Sequence, residues 1–278
     1  MIPIGLYEKA LPSAWPWDQR LAATAEAGYR FAEISIDPSE ARLARLTWPA
    51  DAKAELRNAI AASGVPILTM CLSALREYAL GSRIGATRAR GLEILRRAID
   101  FSVDVGIRIV QVPGYDVFAE QPGDADTVAR FKDGICQATE WAGQAGVMLG
   151  FENVDVPLSE SILFCVEIMR QVNSVWFQLY PDMANAAAAG YNPVAELPCC
   201  ADHLVAIHVK DSLPRTIRGV PFQTGLVHFD EVFGVLAGLN YRGPMTVEMW
   251  AGMDQTGDPV GAVRAARQFV ADLIAKSY

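Results

Sequence analysis

Residues 142–153 read Ala142-Gly143-Gln144-Ala145-Gly146-Val147-Met148-Leu149-Gly150-Phe151-Glu152-Asn153. The first four residues end a helical run that starts at Thr127. Gly146 stops it, because glycine enters the left-handed conformation that closes a helix without a Cβ penalty. Val147 to Glu152 then reads as a short apolar strand that finishes on a carboxylate. The same helix, glycine and strand recur upstream. Trp17 to Ala27 ends near Gly28 and precedes a strand at Phe31 to Ile36. Asp51 to Ser63 ends at Gly64 and precedes Ile67 to Leu72. Ala86 to Val105 ends at Gly106 and precedes the β-branched run Ile107 to Val112. Ile2 to Leu6 supplies the first strand.

The downstream half repeats the scheme. Helical patterns at Ser159 to Val172, Pro193 to Ala201, Phe229 to Leu239 and Pro259 to Lys276 alternate with strands at Phe177 to Asp182, Leu204 to Lys210 and Met245 to Glu248. Eight β–α alternations without a Pro- or Ser-rich linker predict a closed parallel (β/α)8 TIM barrel. The 278 residues fit one such domain spanning 1–278, since these barrels commonly take about 250 residues. A doubly wound open sheet fits less well, because no G-x-G-x-x-G follows the first strand.

Composition narrows the function classes. Hydrophobic residues make up 51%, enough to fill a barrel. The formal net charge of −8 argues against nucleic acid as a partner, which usually demands a basic face. The N-terminus lacks a secretory pattern, and no apolar run is long enough to span a membrane. Five cysteines without a C-x-x-C spacing fit reduced thiols in a cytoplasmic protein. Cys199 and Cys200 are adjacent, but no second pair completes a metal site.

Barrel enzymes carry their chemistry at the C-terminal ends of strands. Strand five ends on Glu152, strand six on Asp182, strand seven carries His208 and strand eight ends on Glu248. Each has a plainer reading alone: rim carboxylates for the glutamates, a helix cap for Asp182, a core histidine for His208. Recurrence in four successive strands favours a shared site. Three carboxylates and an imidazole suit one divalent ion such as Mn2+, Mg2+, Co2+ or Zn2+. Without a cation, converging carboxylates would repel and raise one another's pKa. Glu33, on strand two, either points into the barrel mouth or pairs with a basic neighbour. Lys210 and Asp211 are candidates to pair with each other. His203 lies towards the barrel bottom in a structural position.

The chain resembles the bacterial L-ribulose-5-phosphate (L-xylulose-5-phosphate) 3-epimerases, within the xylose-isomerase-like barrel superfamily. Specific strings carry the resemblance: Tyr7-Glu8-Lys9-Ala10-Leu11-Pro12, Gly114-Tyr115-Asp116-Val117, Trp176-Phe177-Gln178-Leu179-Tyr180-Pro181-Asp182, His208-Val209-Lys210-Asp211, Val220-Pro221-Phe222 and Glu248-Met249-Trp250. The resemblance implies metal ligation by Glu152, Asp182, His208 and Glu248, with Glu152 and Glu248 as the catalytic acid–base pair. It implies epimerisation at C3 of a ketose through an enediolate, one glutamate removing a proton from one face and the other returning one to the opposite face. A ketose isomerase of the same barrel, and a sugar-binding barrel without turnover, stay as alternatives. Three histidines are too few for the histidine-rich trinuclear site of an apurinic endonuclease.

The sequence departs from the family in two places. Where the family tends to read Gly-Glu-Gly-x-x-Asp-Phe, this chain reads Gln223-Thr224-Gly225-Leu226-Val227-His228-Phe229. Where a histidine often follows Leu-Ser-Ala, it reads Leu75-Arg76. Both segments are expected to face the substrate. The resemblance implies a small-molecule sugar phosphate as ligand, with a free ketose as the alternative. Lys9, Arg76, Lys210, Arg215 and Arg218 are the candidate substrate and phosphate contacts. Homo-oligomerisation is left open.

Overall fold

A computed structural model describes residues 2–115, 124–253 and 257–278. Asp116 and Val117 of the family string at 114–117 lie outside the described residues. Eight strands run in the order β1 (Ile4–Tyr7), β2 (Phe31–Ser35), β3 (Ile67–Cys71), β4 (Ile109–Pro113), β5 (Met148–Glu152), β6 (Phe177–Leu179), β7 (Ile207–Val209) and β8 (Met245–Val247). All ladder pairs are parallel, and the spatial order is β6-β5-β4-β3-β2-β1-β8-β7. Single parallel bridges, Leu179 to Leu204 and Asp182 to His208, join the two ends of the sheet. Val205 N–H donates to Leu179 O at 2.9 Å and His208 N–H to Pro181 O at 3.1 Å across this seam. The architecture is the (β/α)8 barrel that the alternation predicts.

The helices are α1 (Trp17–Glu26), α2 (Glu40–Leu43), α3 (Ala50–Ser63), α4 (Gly85–Val105), α5 (Thr127–Ala145), α6 (Ile162–Val172), α7 (Met183–Ala189), α8 (Pro193–Glu196), α9 (Phe229–Gly238) and α10 (Pro259–Ser277). Gly64, Gly106 and Gly146 close α3, α4 and α5 with φ of 69°, 88° and 66°, the left-handed values their glycines permit. The expected helix at Pro193 to Ala201 is a short α8 followed by 3-10 turns over Leu197–His203. No helix among the described residues is long and apolar enough to cross a membrane.

Two strands are shorter than their apolar runs. Pro181 has no N–H to give a ladder, and Asp182 turns the chain into α7, so β6 stops at Leu179. β7 starts only at Ile207, after the bridge at Leu204.

Alternation along β5 shows how the barrel is filled. Leu149 and Phe151 face the helices, and Phe151 packs between Phe131 and Phe177 at centroid separations of 5.5 and 5.0 Å. Each fully buried ring of this kind contributes about 1.5–3 kcal/mol. Gly150 faces the barrel axis, where a Cβ would lie 3.0 Å from Tyr180 Cβ and Cδ1. The missing side chain makes room for the Tyr180 ring, which fills the interior beneath the strand ends.

Candidate metal and acid–base site

Parallel strands of a barrel end at one mouth, so residues at strand ends converge. Glu152 is the last residue of β5. Asp182 follows β6 as the N-cap of α7, His208 sits within β7, and Glu248 follows β8. All four are buried, and one ligand atom from each lies within 4.8 Å of the others. Bonds to such cations run at about 2.0–2.6 Å, so donors around one ion are spaced on this scale.

Asp182 does two things with its two oxygens. Oδ1 accepts from Ala184 N–H at 2.8 Å and Asn185 N–H at 3.0 Å, capping α7. Oδ2 accepts no hydrogen bond of good geometry although it is buried, and its ionic neighbour is Lys210 Nζ at 2.6 Å. A buried carboxylate oxygen without hydrogen bonds is costly unless a cation compensates it. That oxygen and the donor set of three carboxylates and one imidazole fit a divalent cation.

His208 is oriented from behind. Its Nε2 lies 2.8 Å from Glu33 Oε1, while Nδ1 lies 2.6 Å from Glu152 Oε1 and 3.6 Å from Glu248 Oε2. Glu33 also accepts from the Thr69 hydroxyl and the Tyr180 hydroxyl, each at 2.7 Å. Of the two readings open for Glu33, the structure gives the second: it is buried below the mouth against an imidazole. A carboxylate on the far nitrogen fixes ring orientation and turns the other nitrogen towards a metal.

The charges in this cluster are strongly coupled. Burial pushes Glu152 up to about 7, with His208 opposing the shift. Burial works in the same direction on Glu248, but Lys210 and His208 outweigh it and hold that carboxyl at about 2. Burial works to lower His208, yet the Glu33, Glu248 and Glu152 carboxylates carry it well above its ordinary value. Gln111 adds an amide N–H to Glu152 Oε2, and its own carbonyl accepts from Leu72 N–H at 3.1 Å.

The anticipated pair Lys210–Asp211 does not form. Alternation along the strand sends the two side chains in opposite directions. Lys210 Nζ meets Asp182 and Glu248, whereas Asp211 accepts from the backbone N–H groups of Ser212, Gly225 and Val227. Asp211 thereby pins the loop that follows β7.

A cavity of about 480 Å³ opens above the cluster and is lined by Glu152, Glu248, Tyr7, Trp250 and Asn185 among others. Lys9, Arg76, Lys210 and Arg218 line it too. Lys9 pairs with Asp37 at 2.6 Å, and Arg76 reaches Asp155 at 3.3 Å while its guanidinium lies 4.5 Å from the Tyr115 ring centre. Arg215 is not a lining residue, and it pairs with Glu160 at 3.2 Å. Of the two departures from the family pattern, only one meets the cavity. Arg76 lines it, but none of residues 223–228 does, contrary to expectation. Gln223 borders a separate surface hollow beside α10, and His228 is exposed near Glu231. The chain turns away because Asp211 holds Gly225 and Val227.

Sequence reasoning missed Asn185. Its Nδ2 donates to Asn153 O at 2.9 Å, which leaves the buried Oδ1 without a partner beside the cavity. Its spacing three residues after Asp182, one helical turn on, was the available signal, but α7 itself was not anticipated.

The model of the xylose isomerase-like TIM barrel family matches residues 21–273. L-ribulose-5-phosphate 3-epimerase UlaE of Salmonella paratyphi A is 42% identical over 276 residues, covering 99% of this chain and 96% of the relative. Its counterpart in Salmonella enteritidis PT4 is 43% identical over 269 residues, covering 97% and 94%. Among solved structures, an L-ribulose 3-epimerase superposes with a TM-score of 0.81 at 20% identity over 100% of this chain and 96% of that one. D-psicose 3-epimerase from Clostridium cellulolyticum H10, determined with D-tagatose, gives 0.82 at 14% identity over 98% and 99%. The structural likenesses carry the fold, and the sequence relatives carry the rest: this chain belongs to the xylose isomerase-like TIM barrel family and, within it, to the L-ribulose-5-phosphate 3-epimerases.

Proposed function

We propose that the protein interconverts L-ribulose 5-phosphate and L-xylulose 5-phosphate by inverting C3, in a cytoplasmic reaction using one divalent cation. The observation that carries this reading is the convergence of Glu152, Asp182, His208 and Glu248 on one centre beneath a sugar-sized cavity. The cation, Mn2+, Mg2+, Co2+ or Zn2+, supplies Lewis-acid polarisation of the ketose carbonyl. Glu152 and Glu248 stand on β5 and after β8, on different sides of the mouth, so a planar enediolate between them meets one carboxyl on each face. Asn185 Oδ1 offers an acceptor to a substrate hydroxyl. Tyr7 and Trp250, in edge-to-face contact at 6.1 Å, line one side of the cavity.

The phosphate belongs near Arg218. Lys9, Arg76 and Lys210 each have a carboxylate partner, whereas Arg218 has none among the described residues and stands exposed at the cavity rim. A guanidinium binds phosphate oxygens with two N–H groups at once. The net charge of −8 favours such a small anionic ligand held locally over a nucleic acid held by a whole face. Five free cysteines suit a reducing compartment, and the hydrophobic core cluster running from Ile2 to Leu273 supports one domain. The deciding experiment is kcat/KM for L-ribulose 5-phosphate and L-ribulose with defined metals. The reading expects a preference for the phosphorylated sugar that shrinks in Arg218→Ala by about 10–100-fold, the scale of a lost charge-assisted hydrogen bond. A preference for the free sugar, unaffected by Arg218→Ala, would overturn the phosphate assignment.

A further inference from the structure

Lysine is rarely buried without a reason, because its ammonium is strongly hydrated. Lys210 is 4% exposed. It stands two residues after His208, so strand alternation sends both side chains to the same face. Its Nζ lies 2.6 Å from Asp182 Oδ2, 2.7 Å from Glu248 Oε2 and 5.8 Å from the centre of the Trp250 ring. An ammonium has three N–H groups. One donates to Glu248 Oε2, Asp182 Oδ2 faces the ammonium as an ionic neighbour, no further partner occurs among the described residues, and the side chain lines the cavity.

Sequence reasoning groups Lys210 with the phosphate contacts, but its neighbours contradict that role. A phosphate dianion on Nζ would stand against Asp182 and Glu248 in a buried setting, where like charges repel most strongly. A neutral sugar oxygen meets no such repulsion. An oxygen that becomes negative only during the reaction gains from a cation already fixed in place, since no reorganisation is then needed.

We propose that Lys210 is a catalytic residue at the reacting end of the ketose: its ammonium donates a hydrogen bond to the C2 oxygen as negative charge develops there, and it takes no part in holding the phosphate. The inference rests on the epimerase reading above. In the step concerned, the C3 proton passes to a glutamate oxygen. The C3–H electron pair becomes the C2–C3 double bond, and the carbonyl π pair moves onto the C2 oxygen. Lys210 keeps its proton throughout. Return of the pair to the carbonyl accompanies delivery of a proton to the opposite face of C3 by the other glutamate, so no net charge or proton is gained.

The test compares Lys210→Met, which keeps the apolar stem, with Lys210→Gln, which keeps an N–H donor without the charge. Metal content and thermal unfolding are measured for each. Substrates are L-ribulose 5-phosphate and L-ribulose, and inorganic phosphate is titrated calorimetrically as a probe of the phosphate end. Lys210→Met is expected to lower kcat about 100-fold or more, the loss seen when one such donor is removed, by a similar factor for both sugars and with little change in KM. Exchange of the C3 proton with deuterated solvent should slow in parallel, and Lys210→Gln should recover part of the loss. Inorganic phosphate should bind both variants as it binds the unsubstituted enzyme. Weaker phosphate binding, or a loss confined to KM for the phosphorylated sugar, would place Lys210 at the other end and overturn the inference, as would an unchanged kcat. If the unsubstituted enzyme turns over neither sugar, the epimerase reading fails and this assignment with it. If it turns both over but Lys210→Met is silent, only this assignment fails.

Discussion

Two buried ionic clusters share the mouth of this barrel, and they are opposites in charge. On the side of β5 to β8, Glu152, Asp182 and Glu248, with Glu33 below, face His208 and Lys210. On the side of β1 and β2, the Glu8 carboxylate receives guanidinium groups from Arg20, Arg42 and Arg45, while Asp37 holds Lys9 and Arg42. The basic cluster is saturated. Glu8 Oε2 accepts from Arg20 at 2.7 Å, and Oε1 takes Arg42, Arg45 and the Ser35 N–H. It ties the ends of β1 and β2 to α1, α2 and the turn at Ala44–Thr47. The acidic cluster has a buried Asp182 oxygen without a hydrogen bond and carboxylates pointing at one another. Burial and ionic pairing alone do not separate function from scaffold. The two clusters differ in the completeness of their hydrogen bonding.

The largest effect that would sharpen this contrast comes from the glutamates. Glu152→Gln and Glu248→Gln are each expected to lower turnover by roughly 10²–10⁴-fold, since the amide keeps the shape but takes no proton. Metal content measured on the same samples separates lost acid–base chemistry from lost binding. Stability should hold or rise in Glu152→Gln, whose carboxyl is pushed up to about 7 by burial, and should fall in Glu248→Gln, which takes a carboxylate from the buried Lys210 ammonium. Fully metallated variants with near-normal rates would show that the acidic cluster is scaffold after all.

Glu8→Ala should do the reverse. It removes the carboxylate shared by three guanidinium groups, of which only Arg42 keeps another in Asp37, and breaking a buried pair by removing one partner costs about 3–5 kcal/mol. A shift of the urea midpoint of matching size is expected, with the molecules that remain folded still binding metal. A stable variant that has lost its metal would erase the distinction between the clusters.

The sequence made the acidic cluster legible and the basic one nearly invisible. Glu152, Asp182, His208 and Glu248 lie at or near the ends of successive strands, and a regular barrel brings strand ends together, so the alternation favoured their meeting and the family resemblance strengthened it. Glu8, Arg20, Arg42 and Arg45 come from a strand end, a helix and the irregular segment around α2, and nothing periodic links them. Glu33 was visible as a carboxylate in an apolar strand, but its partners Thr69, Tyr180 and His208 come from three other parts of the chain. Lys210 and Asp211 were adjacent and opposite in charge, and strand alternation still sent them apart. Asp182 was legible both as a strand end and as a helix cap, and it is both at once: Oδ1 caps α7, although no periodic apolar pattern marks that short alanine-rich helix.

The rim of the basic cluster gives a smaller, pH-dependent effect. Asp37 is held at about 2: burial alone would raise it, but hydrogen bonds from Lys9 and Ser39 prevail. Its folded value lies below the roughly 3.9 of an unfolded aspartate. The stabilisation is therefore present above about pH 4 and is lost as pH falls through about 2. Partial exposure screens the pair, so the contribution stays within about 1 kcal/mol. Thermal unfolding of Asp37→Asn and the unsubstituted protein should differ at neutral pH and converge in acid. A gap that persists at pH 2 would mean that packing, not charge, sets the role of Asp37.

The smallest expected effect concerns the loop that departs from the family pattern. Gln223 has a φ of 66°, a left-handed conformation that strains a side chain but not a glycine, the residue the family tends to place there. The strain is offset in part because glycine loses more chain entropy on folding, so Gln223→Gly should stabilise by no more than about 1 kcal/mol. The change should not touch turnover. Gln223 borders the hollow beside α10, while the cavity over the acidic cluster is lined by other segments, and Asp211 anchors the loop between them through Gly225 and Val227. Chemical denaturation measures the first expectation and kcat/KM the second. A clear gain or loss in kcat/KM from Gln223→Gly would mean that the loop reaches the substrate during turnover, and the mouth would then have a third functional region beside the two clusters.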